Sequence, residues 1–347
     1  MLQNAVLGCL LGGMVGDMVG LAVEGLTPQR QRTLFGNIDG PRLLGRRGMV
    51  SDDTEHVVMV VRALIASGGN AEAFAHRFAR ELRGWISRLP AGVGWATLRA
   101  GLRLLIGISP SRSGVFSAGN GPAMRAALLG VCARDTAHLR ALVRASTVVT
   151  HTDPKAEYAA LVVATATRLS AAQNLSPDTL LGALAPFSLN DELRSLIERA
   201  AHNAAGQDTS AFAMSLGLAR GVSGYALHSV PVAIHAALRY PADVRAAVLA
   251  CVACGGDTDT TAAIVGGIVG AGTGPSGVPA DWLKALWEWP QNAAYLSRLS
   301  VALVQAIETA RPSDPPGVPL TALLLRNAAF TSIVLAHGLR RLLPPYK

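Results

Sequence analysis

Apolar residues recur at three- and four-residue spacing along most of the chain, and short clusters of Gly, Pro, Ser and Asp interrupt them. The spacing predicts helices over residues 4–23, 57–66, 72–86, 96–106, 122–132, 136–146, 156–171, 191–203, 212–218, 232–238, 243–254, 262–271 and 320–343. Alternating runs of strand type are scarce, so the expected class is all-α. The breaks fall at 26–50, 109–121, 174–186 and 312–319. Residues 1–311 read as one helical domain, and 312–347 as a Pro-rich break followed by an apolar helical tail. The tail is expected to pack on the core or to form a dimer contact, so both monomer and homodimer are open. Its run 330–336 is too short to span a bilayer.

Gly8, Gly12, Gly16 and Gly20 share one face of the first helix. Interior helical glycine costs about 1 kcal/mol relative to alanine. Four on one face imply another backbone in close approach. Asp17 and Glu24 lie on roughly one side of the same helix, with Glu24 closing it before Gly25. A carboxylate in such apolar surroundings needs a partner or a metal. Residues 26–50 are rich in Gly, Pro and Arg and read as a long loop that gates a cleft.

Composition narrows the class. The 347 residues are 50% hydrophobic, 16% charged and 5% aromatic, with abundant Gly, which favours closely packed helices over a sandwich. The net charge of +8 comes mostly from scattered arginines. There is no long basic run or nucleic-acid motif, so no nucleic-acid partner is expected, whereas an anionic small ligand fits. Cys9, Cys132, Cys251 and Cys254 form no disulfide framework, and the Cys251/Cys254 pair reads as a buried helix face. No basic leader precedes the first apolar run, so a cytoplasmic protein with no membrane span is expected.

Two acidic segments stand at loop-to-helix junctions: Ser51-Asp52-Asp53-Thr54-Glu55 and Gly255-Gly256-Asp257-Thr258-Asp259-Thr260-Thr261. Each also reads as an ordinary helix start, with an N-cap and acids favoured by the helix dipole. Yet each offers two carboxylates and a hydroxyl, the oxygen chemistry that Mg²⁺ takes. Together they can form opposite halves of one dinuclear site. Ser117, Gly119, Asn120 and Gly121 precede a helix at Pro122, where glycine N–H groups make a phosphate cradle. His151, at a further helix start, is a ligand contact or a capping residue.

These segments, taken in order, resemble the ADP-ribosylglycohydrolase family over residues 4–287: Gly16-Asp17-x-x-Gly20-x-x-x-Glu24, Ser51-Asp52-Asp53-Thr54, Gly119-Asn120-Gly121-x-x-Met124-Arg125, His151-Thr152-Asp153-Pro154, Gly224-Tyr225 and Gly255-Gly256-Asp257-Thr258-Asp259-Thr260. The resemblance implies an all-helical fold with two Mg²⁺ (or Mn²⁺) ions held by Ser51, Asp52, Asp53, Asp257, Asp259 and Thr260. It gives catalytic roles to Glu24, Asp52 and Asp257. Substrate contacts fall to Ser117, Gly119, Asn120, Gly121, His151 and Tyr225. Ser51 stands where many members carry Thr. Ala118 stands where some carry an aromatic, and Tyr225 is a substitute platform for adenine.

The implied reaction is metal-dependent hydrolysis of ADP-ribose from a modified acceptor, an ADP-ribosylated protein or another conjugate, with ADP-ribosyl-arginine the first choice. Alternatives are O-linked conjugates such as O-acetyl-ADP-ribose or ADP-ribosyl-serine, a non-catalytic ADP-ribose binder or immunity protein, and a phosphohydrolase that would release AMP.

Overall fold

The computed structural model describes residues 1–343. These contain nineteen α-helices and one short 3₁₀ turn, and no strand longer than an isolated bridge. The centre is a pair: the N-terminal helix Leu2–Leu21 and the helix Thr258–Thr273. Both are buried almost all round, so neither shows the one-sided apolar stripe of a surface helix. The expected close approach is real. A Cβ at Gly8 would collide with the Gly270 carbonyl, at Gly12 with Gly266 O, and at Gly16 with Ala262 O. At Gly20 it would lie 2.5 Å from Asp259 Cα. The glycine face therefore sets the distance between Asp17 and Asp259, since both ride on the two helices it joins.

Helices Asp52–Ser67, Ala127–Cys132, Pro154–Ala171, Ala226–Arg239 and Ala293–Thr309 surround this pair. The core buries Trp85, Trp282, Phe74, Phe78 and Phe212 among many small side chains.

Several boundaries differ from the periodicity reading, three of them at a proline. Residues 26–50 contain a helix, Pro28–Phe35, with Thr27 as N-cap and Pro28 in its first turn. Residues 174–186 contain Pro177–Leu184, started by a reciprocal Ser176/Thr179 capping box. The helix expected over 232–238 runs from Ala226 to Arg239 with Pro231 inside. An interior proline costs about 3 kcal/mol. Burial of Leu227, Val230, Val232, Ile234 and Ala237 outweighs it. The helix expected over 122–132 is broken at Arg125 into Gly121–Met124 and Ala127–Cys132.

The first helix ends at Leu21, so Glu24 lies in the following turn rather than closing the helix. The segment 26–50 is pinned rather than free. Trp282 Nε1 donates to Asp39 O at 3.3 Å, Gly48 N–H to Ala285 O at 3.2 Å and Trp287 N–H to Gly48 O at 2.8 Å. All four cysteines are buried and free, Cys251 and Cys254 among them.

The C-terminal helix Leu320–Arg340 packs one side on the body through Arg326, Asn327, Phe330 and His337, with Phe330 against Leu21, Ala22, Leu43 and Met49. By length and composition, two helices among the described residues would be long and apolar enough to cross a membrane: this one and Leu2–Leu21. The latter is the buried centre of the fold.

Candidate metal centre and cleft

Three short backbone pairings bring the site loops together. Gly25 N–H donates to Gly256 O at 2.7 Å, and Gly256 N–H returns to Leu26 O at 2.8 Å. Asp257 N–H donates to Val222 O at 2.7 Å. Asn120 N–H donates to Gly224 O at 2.9 Å. Gly255 (φ +70°) and Gly256 (φ +79°) take the left-handed turn that carries the chain into Asp257.

The two acidic segments face each other across Asp17. Its carboxylate accepts Ser51 N–H at 2.9 and 3.1 Å, Thr54 N–H at 3.1 Å and the Thr54 hydroxyl at 2.5 Å. Asp17 thus caps the Asp52–Ser67 helix from a distant part of the chain, beside the local N-cap Ser51. Oδ2 of Asp53 accepts the hydroxyls of Ser51 at 3.2 Å and Thr260 at 3.0 Å, which joins the two halves directly. Oδ1 of Asp53 is buried with no hydrogen-bond partner.

Carboxylate oxygens of Asp17, Asp53 and Asp259 lie within 4.8 Å of one another, and so do those of Glu24, Asp257 and Asp259. Asp259 belongs to both groups. Asp52 lines the cleft but stands outside both. Asn120 Nδ2 donates to Asp257 Oδ2 at 2.6 Å and fixes that carboxylate.

Burial, then the charges of neighbouring carboxylates, push Asp52, Asp53 and Asp259 well above the usual carboxylate range. Asp17 rises to about 6 through burial, against the pull of the Ser51 and Thr54 hydrogen bonds. Glu24, exposed at the rim of the cleft, rises to about 7 through partial desolvation among the other acids and repulsion from Asp257, offset by Arg341. Buried acids whose charged neighbours are mainly one another, with one oxygen left unbonded, fit a hard divalent cation.

A pH prediction follows. An acid whose folded pKa is raised binds more protons folded than unfolded, so stability falls as pH rises toward that pKa. Between pH 7 and pH 8 neither ordinary histidine nor ordinary thiol titration dominates. In that window the metal-free protein should melt higher at pH 7 than at pH 8 by calorimetry. Saturating Mg²⁺ should remove the difference. Equal slopes with and without Mg²⁺ would contradict the arrangement.

The cleft above these carboxylates has a volume of about 520 Å³. Ser117, Gly119, Asn120, Gly121 and His151 line it, with Glu24, Asp52, Asp257, Asp259 and Thr260 at its acidic end. None of residues 26–50 does, which removes the gating expectation. The cradle expectation changes in part: the N–H groups of Gly119 and Asn120 are taken by Ser117 Oγ (3.3 Å) and Gly224 O. What the loop needs from glycine is room. A Cβ at Gly119 would lie 3.2 Å from His151 Nε2, and one at Gly121 3.0 Å from His151 Cε1.

His151 is neutral, its pKa lowered to about 3 by burial and by Arg125. Arg125 Nη2 donates to the Thr150 hydroxyl at 2.7 Å, and that hydroxyl lies 2.8 Å from His151 Nδ1. A hydroxyl that accepts from Arg125 has its proton to give to Nδ1, which leaves Nε2–H as the donor facing the glycine loop. Tyr225 is outside the cleft lining. Its hydroxyl accepts from Lys155 Nζ at 2.9 Å and its ring packs edge-on against His228.

Sequence reasoning missed two contributors, Trp95 and the role of Arg125, and left a third, Asp17, without its role. Trp95 lines the cleft and is 73% exposed, an unusual state for a tryptophan, and its position before an amphipathic helix was the only signal. Arg125 is fully buried without a carboxylate partner, bonded to Gly121 O, Ser146 and Thr150. Asp17 was noticed, but its role as a remote cap depends on a contact that periodicity does not reveal.

The family profile described as ADP-ribosylglycohydrolase matches residues 1–313. An uncharacterized protein of Archaeoglobus fulgidus is 29% identical over 303 residues, which cover 86% of this chain and 95% of that protein. ADP-ribosylhydrolase ARH3 of Gallus gallus is 28% identical, with coverage of 79% and 87%. The ADP-ribosyl-[dinitrogen reductase] glycohydrolase of Rhodospirillum rubrum is 27% identical, with coverage of 82% and 90%. A solved structure described as an ADP-ribosylglycohydrolase-related protein complex superposes with a TM-score of 0.66 at 28% identity, covering 88% of this chain and 99% of that one.

Proposed function

From the premise that this chain belongs to the ADP-ribosylglycohydrolase family, and so is an ADP-ribosyl hydrolase, we propose that it is a metal-dependent enzyme cleaving the N-glycosidic bond of ADP-ribosyl-arginine on proteins. The observation that carries the metal reading is the paired carboxylate groups sharing Asp259, with Asp53 Oδ1 buried and unbonded while its Oδ2 accepts the Ser51 and Thr260 hydroxyls. Ser51, Asp52, Asp53, Asp257, Asp259 and Thr260 would hold two Mg²⁺, with Mn²⁺ as a substitute. Asp17 would complete the set as orienter of the Ser51–Thr54 turn. Bound divalent ions would supply charge stabilisation and an acidified water.

The chain's own groups divide the remaining work. Asn120 holds Asp257 in one orientation. Glu24, with its carboxyl near neutral pKa, can take or give a proton at the ribose end of the cleft. Its place at the open mouth suits a cationic guanidinium acceptor. His151 offers Nε2–H to an oxygen of the ligand. The ring of Trp95, where Ala118 supplies none and Tyr225 is engaged with Lys155, is the stacking surface for adenine.

Base–aromatic stacking contributes about 1–3 kcal/mol. Trp95→Ala should therefore weaken ADP-ribose binding by about 5–150-fold in calorimetric titration, since 1.4 kcal/mol is tenfold. The melting temperature should stay unchanged, because the side chain is exposed. Unchanged affinity would return adenine stacking to another residue. A panel of arginine-, serine- and acetyl-linked ADP-ribose tests the linkage, with the arginine conjugate expected to turn over fastest.

A further inference from the structure

The C-terminal helix Leu320–Arg340 lies beyond the residues matched by the family, yet it reaches the candidate ligands from behind. Arg326 is 3% exposed. Its Nη2 donates to Val50 O at 2.6 Å and to Glu288 Oε2 at 2.9 Å, its Nε to Glu288 Oε1 at 2.9 Å, and its Nη1 to Glu55 Oε1 at 3.0 Å. Glu288 Oε2 also accepts Val50 N–H at 3.2 Å. Val50 is thus held at both its N–H and its carbonyl, and it is the residue before Ser51. Glu55, one turn into the ligand-bearing helix, is held by Arg326 and by Trp85 Nε1 at 2.7 Å. Further along the tail, His337 Nε2 lies 2.8 Å from Ala22 O, and Arg341 donates to Glu24 O at 2.8 Å. The same segment therefore grips the turn that carries Glu24.

We propose that Arg326 is a positioning residue for the Ser51-Asp52-Asp53 turn, and that the C-terminal helix is the outer wall of the metal centre. The inference rests on the reading of that turn as a source of metal ligands. Only a planar guanidinium can bond both Glu288 oxygens, Val50 O and Glu55 at once, so lysine cannot replace it. Loss of such supporting partners typically weakens metal binding about 10–100-fold.

The test is calorimetric titration of Mn²⁺ alone into the metal-free full chain, its Arg326→Lys variant and a control, Asn327→Ala. Asn327 is buried on the same helix, but its side chain donates to Arg88 O at 2.9 Å and not to Val50, Glu55 or Glu288. Both substitutions should lower the melting temperature. Only Arg326→Lys, folded by circular dichroism, should weaken Mn²⁺ binding, by about 10–100-fold. Wild-type affinity in Arg326→Lys would overturn the positioning role and leave the metal reading standing. Absence of Mn²⁺ binding by the wild type would overturn both. Should Arg326→Lys fail to fold, Glu288→Gln, which weakens the acceptor for Val50 N–H and Arg326, carries the same criterion.

Discussion

Asp259→Asn should abolish ADP-ribose release while making the metal-free protein more stable. Asp259 is shared by both carboxylate groups, so its loss removes a charge from each. A divalent ion contributes several kcal/mol of charge stabilisation to such a reaction, so activity should fall at least about 10²-fold. The stability effect has the opposite sign. In the absence of metal, Asp259 is a buried acid repelled by Glu24, Asp53 and Asp257. Asparagine keeps the oxygen that accepts Thr260 N–H at 3.0 Å and drops the charge. The variant should melt higher than wild type in EDTA, by about 1–2 °C for each kcal/mol of relieved repulsion in a chain of this length. Mg²⁺ should raise the melting temperature of wild type and leave that of the variant nearly still. A variant that melts lower in EDTA would show that Asp259 stabilises the fold without metal.

Gly12→Ala and Gly13→Ala, one residue apart, should give opposite results in urea denaturation. A Cβ at Gly12 would collide with Gly266 O and lie 3.1 Å from Gly270 Cα, all of it backbone. Relief requires the two central helices to separate, and overpacking of this kind costs about 1–3 kcal/mol or more. At Gly13 the nearest atom, Ala263 O, would be 3.5 Å away, an ordinary contact. There the helix propensity of alanine should dominate, with a gain of up to about 1 kcal/mol. Gly12→Ala should also lower activity in the surviving folded fraction, because separation of these helices moves Asp17 from Asp259. Equal effects at the two positions would contradict the account of the central pair.

The glycine repeat was legible because close backbone approach leaves a period of four that nothing else explains. The two acidic turns were legible as a pair, and the resemblance arranged them around one centre. Helix starts at Thr27-Pro28 and Ser176-Pro177 were not, because the same residues make turns and only the completed cap distinguishes them. The tail read simply as apolar. Its Arg326 carried no local signal, since its partners Glu55 and Glu288 lie far away in sequence. Tyr225 looked like a ligand platform because the pattern showed an aromatic after glycine, while its orientation was decided by Lys155 and His228.

The most direct test is chromatography of the product released from an ADP-ribosyl-arginine protein by the purified chain, in Mg²⁺ and in EDTA. The account predicts free ADP-ribose with Mg²⁺ and none with EDTA. Equal release in both conditions, or AMP as the product, would contradict it.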